Sequence, residues 1–109
     1  PTAVMNSATE FSHQCAANGL VLDLKFTPAF LEKEKHTEML KELISIYFEK
    51  GGMEVQFNVV DRQTLLAAKA DPKQYRNLVV RVSGFSAYFV LLDPVLQDEI
   101  IKRTEYGRF

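Results

Sequence analysis

At 109 residues the chain is long enough for one domain with a modest core, and a hydrophobic share of 47% argues for a folded domain over disorder. Its formal net charge of -1 and pI of about 6.2 remove any electrostatic case for a nucleic-acid partner. The single cysteine, Cys15, excludes an internal disulfide framework and suits a reducing, cytoplasmic setting, while no apolar run approaches the roughly 18–20 residues of a membrane span and no signal-peptide pattern opens the chain.

The chain begins Pro1-Thr2-Ala3 without an initiator Met. Met removal before proline would explain this, and so would a place within a longer chain. Ser7-Ala8-Thr9-Glu10 has capping-box spacing, which predicts a short helix ending near Asn18-Gly19. Leu20, Leu22, Leu24 and Phe26 then alternate with Val21, Asp23 and Lys25, the period of a strand. Thr27-Pro28 closes it, and Ala29-Phe30-Leu31 fits one helical turn. The charge run Glu32-Lys33-Glu34-Lys35-His36 reads as a solvated loop or helix start. Leu40, Leu43, Ile44, Tyr47 and Phe48 recur at three and four spacing, predicting an amphipathic helix of about 12 residues that Gly51-Gly52 stops.

Met53, Val55, Phe57 and Val59 alternate with Glu54, Gln56 and Asn58, the cleanest strand pattern in the chain. Asp61 is placed to cap a helix carrying Leu65 and Leu66, and Asp71-Pro72 ends that helix. After a polar connection over 71–77, two strands are predicted over 78–83 and 86–91. Asp93-Pro94 gives a cap followed by proline at the first helical position. The last helix carries Asp98 and Glu99 early and Lys102 and Arg103 late, as its dipole favours.

Gly84 interrupts the strand-like run from Leu78 to Leu91. A glycine there weakens a strand, and its ordinary reasons are a bulge, a tight bend or a close backbone approach. The neighbours add another. Arg81-Val82-Ser83-Gly84-Phe85, entered through Asn77-Leu78-Val79-Val80 and left through Ser86-Ala87-Tyr88-Phe89, resembles the radical-site loop of glycyl radical enzymes. Phe57-Asn58-Val59-Val60-Asp61 and Leu96-Gln97-Asp98-Glu99-Ile100-Ile101 through Arg103-Thr104-Glu105 resemble the same family in the same order. So do Pro1-Thr2-Ala3-Val4, Asn18-Gly19 and Lys25-Phe26, so the resemblance covers essentially the whole chain. It looks like the C-terminal end of the subfamily of diol and glycerol dehydratases, choline lyase, arylacetate decarboxylases and alkyl- and benzylsuccinate synthases. The likeness to pyruvate formate-lyase is looser.

The resemblance implies a mixed α/β (α+β) fold, the C-terminal part of a glycyl radical enzyme barrel. Residues 1–50 would close the barrel and residues 51–109 would form the glycine radical domain. It implies a backbone radical on Gly84, which generates a cysteine thiyl radical for bond cleavage, as in dehydratases, decarboxylases and related lyases, or for radical addition. Glycine suits this because a planar Cα radical delocalises into both flanking amides, and a side chain would crowd it. No cofactor would be bound: a separate S-adenosylmethionine/iron–sulfur activase would install the radical. The partners implied are that activase and the remainder of the barrel, which supplies the thiyl cysteine and the substrate site. A homodimer of the full enzyme is compatible with this, and no nucleic acid or membrane is implied. By itself the chain is not expected to turn over substrate.

The resemblance also implies a supporting role for the loop residues Arg81, Val82, Ser83, Phe85, Ser86, Ala87 and Tyr88. Val82, Phe85, Tyr88 and Phe89 would shield the radical by burial, or simply pack a core. Arg81 either fixes the loop through neighbouring backbone or lies on a strand surface. Tyr88 is either a relay or a packing residue. Cys15 does not match the context of the thiyl cysteine and is expected as a buried small hydrophobe. His13 and Cys15, two apart, share no helix face, and no metal site is expected. Two alternatives stand beside this reading. One is a free-standing glycyl radical cofactor that binds and repairs an oxygen-damaged enzyme. The other is a small α+β domain with a purely structural glycine loop.

Overall fold

The alternating run after Gly19 forms β1 (Val21–Phe26). In this computed structural model, which describes residues 1–16 and 18–107, β1 is the centre of a parallel sheet. It pairs with β2 (Glu54–Val59) along its full length, from Val21 opposite Glu54 to Phe26 opposite Val59. Parallel neighbours need a crossover, and α2 (Pro28–Leu31) with α3 (Glu34–Glu49) supplies it. On its other edge β1 meets β5 (Glu105–Tyr106), also parallel, giving the order β2-β1-β5.

A central parallel strand is covered on both faces, so alternation in the sequence does not become alternation in burial. Leu24, Lys25 and Phe26 are consecutive buried residues. Lys25 donates from Nζ to the Ile101 carbonyl at 3.2 Å and stands 4.0 Å from the Glu105 carboxylate. Burial lowers its pKa, and Glu105 partly opposes that.

Two apolar cores flank the sheet. The first joins Met5, Leu24, Phe26, Phe30, Leu43 and Tyr47. The second joins Val60, Leu65, Ala68, Val80, Val82, Phe89, Ile100 and Ile101. It gathers α4 (Arg62–Ala70), the antiparallel pair β3 (Val79–Arg81) and β4 (Ser86–Tyr88), and α5 (Pro94–Lys102). Both expected aspartate caps are present. Asp61 Oδ1 accepts from the Thr64 N–H at 2.6 Å, and Asp93 Oδ1 accepts from the Leu96 N–H at 3.0 Å ahead of Pro94.

Other elements depart from the pattern. The first helix is α1 (Thr2–Ala8), so Ser7 lies in its last turn and caps nothing. Thr9 ends it by turning its hydroxyl back to the Asn6 carbonyl, and the His13 ring takes the Ala8 carbonyl at 2.6 Å. A single 3₁₀ turn over His13–Cys15 follows, and Ala17 lies outside the described residues. Cys15 is exposed rather than buried. The helix α3 is longer than its apolar positions indicate, because it starts within the charge run at Glu34, an acidic first-turn residue. The strand expected over 86–91 stops at Tyr88 and becomes a 3₁₀ turn over Phe89–Leu91. The N–H of fully buried Phe89 still donates to the Leu78 carbonyl at 2.8 Å, but its carbonyl turns to the Leu92 N–H at 3.2 Å and to Gln97 Nε2 at 2.9 Å, and the ladder ends there.

Gly51 and Gly52 stop α3 for different reasons. Gly51 has φ +95°, the left-handed region. At Gly52 a Cβ would stand 2.3 Å from the buried Tyr47 ring, whose hydroxyl donates to the Glu54 carbonyl at 3.1 Å. Gly52→Ala is therefore expected to displace Tyr47 and lower stability by about 1–3 kcal/mol in urea unfolding. Asp61→Ala is expected to cost about 1 kcal/mol at pH 7. Hydrogen bonds from the Thr64 backbone and side chain hold the Asp61 carboxyl below its ordinary value of 3.8. A depressed carboxyl stabilises above its unfolded pKa. The gap between wild type and variant should thus shrink as the pH falls below 3.8 and through the folded pKa, which unfolding curves across pH 2–7 will read.

Candidate functional site

The turn joining β3 and β4 is built on Gly84. Its φ is +78°, whereas Ser83 stays at negative φ, the sign pattern of a type II turn. The Val82 N–H donates to the Phe85 carbonyl at 2.9 Å and closes the hairpin end. A Cβ placed on Gly84 would meet nothing within 4 Å. The turn therefore needs glycine for its backbone conformation and not for lack of room.

Beneath the turn lies a polar platform. Asn58, on β2 and almost fully buried, grips the Arg81 backbone twice. Its Nδ2 donates to the Arg81 carbonyl at 2.8 Å, and its Oδ1 accepts from the Arg81 N–H at 2.7 Å. Gln56, two residues earlier on the same face, turns Oε1 to the Gly84 N–H at 3.2 Å and to Arg81 Nε at 3.0 Å. Its Nε2 donates to the Glu54 carboxylate at 2.8 Å, which fixes the amide with its oxygen toward the turn. From the end of α5, Arg103 donates to the Arg81 carbonyl at 3.1 Å and to the Val82 carbonyl. Asp23 on β1 stands 3.9 Å from the Arg103 guanidinium. Burial pushes the Asp23 carboxyl up, and the Arg103 and Arg81 charges pull it back.

Around the turn the residues singled out in the sequence divide. Arg81 is half-buried and tethered on three sides, with Nη1 also on Ser86 Oγ at 3.2 Å. Val82 and Phe89 are buried in the second core below the turn. Phe85 and Tyr88, expected to shield or pack, are instead 53% and 48% exposed: Tyr88 shares the exposed face of β4 with Ser86, opposite half-buried Ala87, and Phe85 lies in the turn itself. Ser83 and Ser86 are exposed and Ala87 is half-buried. Gly84 itself is exposed, so among the described residues no apolar lid covers it. Leu91 and Val95 add 79% and 75% exposure further along.

Sequence reasoning missed the platform. Gln56 and Asn58 sit at the polar positions of an alternating strand and read as solvent-facing, yet each is 5% exposed. Two side-chain amides at i and i+2 in mid-strand, where Asn is depleted, were the available signal. Arg103 reads as a dipole partner, whereas it binds two loop carbonyls. Among the described residues, no cluster of three or more His, Cys, Asp or Glu side chains is placed to hold a metal, and no helix is long and apolar enough to cross a membrane.

The family model described as glycine radical matches residues 1–90. The probable dehydratase YbiW of Escherichia coli is 46% identical over 107 residues, which cover 97% of this chain and 13% of that protein. The isethionate sulfite-lyase of Desulfovibrio desulfuricans is 45% identical over 108 residues, with the same coverage of 97% and 13%. A solved structure concerning 1,2-propanediol dehydration in Roseburia inulinivorans superposes with a TM-score of 0.92 at 49% identity, over 97% of this chain and 13% of that one. The chain thus spans about 13% of the length of these relatives.

The platform makes a local prediction. Asn58→Leu removes both grips on Arg81 and leaves its N–H without an acceptor, at a cost of roughly 1–3 kcal/mol. Hydrogen exchange over residues 79–88 should accelerate, while exchange in α3 stays unchanged.

Proposed function

This chain belongs to the glycine radical family, and from that premise we propose that it is the radical-storing domain of an anaerobic lyase-type glycyl radical enzyme, with Gly84 as the radical site. The observation that carries this is the family match over residues 1–90 together with a glycine held at φ +78° in an exposed turn inside the matched segment. The similarity to complete enzymes extends over 97% of the chain, its N-terminal half included, which favours an enzyme part over a free-standing repair cofactor. The two separate cores support a division into a barrel-closing segment over 1–50 and a glycine radical domain over 51–109, with β2 packing Val55 and Phe57 on the first core and turning Gln56 and Asn58 to the glycine turn.

The chemistry follows from the turn. A hydrogen atom, one proton with one electron, leaves the Gly84 Cα. It passes to a carbon radical that a separate activase generates by one-electron reduction of S-adenosylmethionine at an iron–sulfur cluster. What remains on Gly84 is a planar Cα radical, conjugated with the amide on each side. Exposure of the turn suits this step, because the activase must reach the Cα–H bond. Storage needs the opposite, exclusion of water and oxygen. The half-exposed Phe85 and Tyr88 beside Gly84 support burial of this side against the rest of the enzyme barrel. Inside the barrel the glycine radical takes a hydrogen atom from a cysteine thiol. The thiyl then opens dehydration, another carbon–heteroatom or carbon–carbon cleavage, or radical addition.

Activation under anaerobic conditions should give a glycine-centred doublet in electron paramagnetic resonance. Gly84→Ala pays about 1–2 kcal/mol for its left-handed backbone but meets no clash, so it should fold and give no doublet. Air admitted to the activated wild type should split the backbone at Gly84 and free the segment starting at Phe85. An activated chain that stays intact in air, or equal cutting of Gly84→Ala, sinks the proposal.

A further inference from the structure

Gln56 stands out among the buried polar groups because it touches the amide of Gly84 itself. We infer that Gln56 is a positioning residue for the radical, tuning the glycyl centre through its hydrogen bond from the Gly84 N–H. The inference rests on the function proposed above and deepens it.

The geometry is specific. Gln56 Oε1 has two lone pairs, and both are used: one by Gly84 N at 3.2 Å, the other by Arg81 Nε at 3.0 Å. The Glu54 carboxylate takes the opposite end of the amide at 2.8 Å. An amide with both ends engaged cannot flip, so its oxygen is held toward the loop. Gln56 is 5% exposed, so water has little access to compete for its acceptor oxygen while the loop is seated.

The electronic consequence follows from how a glycine Cα radical is stabilised. The nitrogen donates electron density into the half-filled orbital and the carbonyl withdraws it. An acceptor on the N–H raises the donor strength of that nitrogen. The Glu54 carboxylate polarises the Gln56 amide in the direction that strengthens Oε1 as an acceptor. Asn58 and Arg103 hold Arg81 and Val82 and so fix the approach of the turn, but neither touches the Gly84 amide.

The test uses the full polypeptide that carries these residues, activated anaerobically. Gln56→Met keeps the volume and removes the acceptor. Gln56→Glu combined with Glu54→Gln keeps an acceptor for the Gly84 N–H and supplies it with an amide donor in place of a facing carboxylate. In the wild type the Gly84 radical is read by electron–nuclear double resonance, which resolves the amide nitrogen and the exchangeable amide proton. Gln56→Met should shift both couplings and shorten the radical's lifetime about fivefold, the equivalent of one ordinary hydrogen bond. Gln56→Glu combined with Glu54→Gln should move both back toward the wild type. A residue that merely packs would leave the couplings unmoved, so unchanged couplings in Gln56→Met overturn the inference alone. No radical in the wild type overturns the proposed function, and this inference with it. If Gln56→Met fails to fold, hydrogen exchange of the unactivated wild type decides. The Gly84 amide, corrected for intrinsic rates, should exchange about fivefold more slowly than that of Ser83. Equal rates overturn the inference.

Discussion

The constraint on which the rest depends is the satisfaction of backbone polar groups where β2 runs beneath the glycine turn. The β3–β4 hairpin is only three residues long on each side. Two short strands do not hold a turn rigid by themselves. Here side chains do the work that a longer ladder would do. Asn58 takes the place of a neighbouring strand by offering both a donor and an acceptor to Arg81. Arg103 binds the carbonyls of Arg81 and Val82, which a charge-assisted donor does more strongly than a neutral one. The hairpin is thereby joined to β2 and to the end of α5 through part-buried hydrogen bonds.

That arrangement reconciles two demands on the turn. Its lower side is anchored in the second core by Val82 and Phe89, 5% and 0% exposed. Its upper side presents Gly84, Phe85 and Tyr88 to the surroundings. A turn fixed from one side can be approached from the other without being unfolded. Glycine at φ +78° serves the conformation, and the empty space where a Cβ would stand leaves the Cα–H bond in that direction open. The structural reason for glycine and the chemical reason proposed for it are separate, and both fall on Gly84.

How much of this was legible depends on the kind of interaction. Caps such as Asp61 and Asp93 are local, so a few residues decide them, and both read correctly from the sequence. The strands β1 and β2 were legible for the same reason, since their period is local. The capping box at Ser7 was misleading because the helix had already begun at Thr2. The strand β5 has two residues and exists only because β1 offers an open edge there, which no local pattern records. Burial on β2 was inverted: Val59 is 50% exposed while Gln56 and Asn58 are 5% exposed. An alternating pattern tells which residues share a face, but not which face a later hairpin will cover.

The same long-range origin explains why the turn was legible and its support was not. The chemistry proposed for the turn is written in consecutive residues, Arg81 through Tyr88. The platform is assembled from Asp23, Gln56, Asn58 and Arg103, which meet only when β1, β2 and α5 are in place. Each of these residues has an innocent local reading: a strand polar position or a helix-end charge. Their common feature is that each ends on the Arg81–Gly84 segment or, for Asp23, on the guanidinium that does. A turn that only reversed the chain would have no use for two buried amides and two half-buried charges, each of which gave up water to reach it. The cost of that desolvation is a physical argument that the position of the Gly84 backbone, and not merely its connectivity, is what the surrounding residues were arranged to hold.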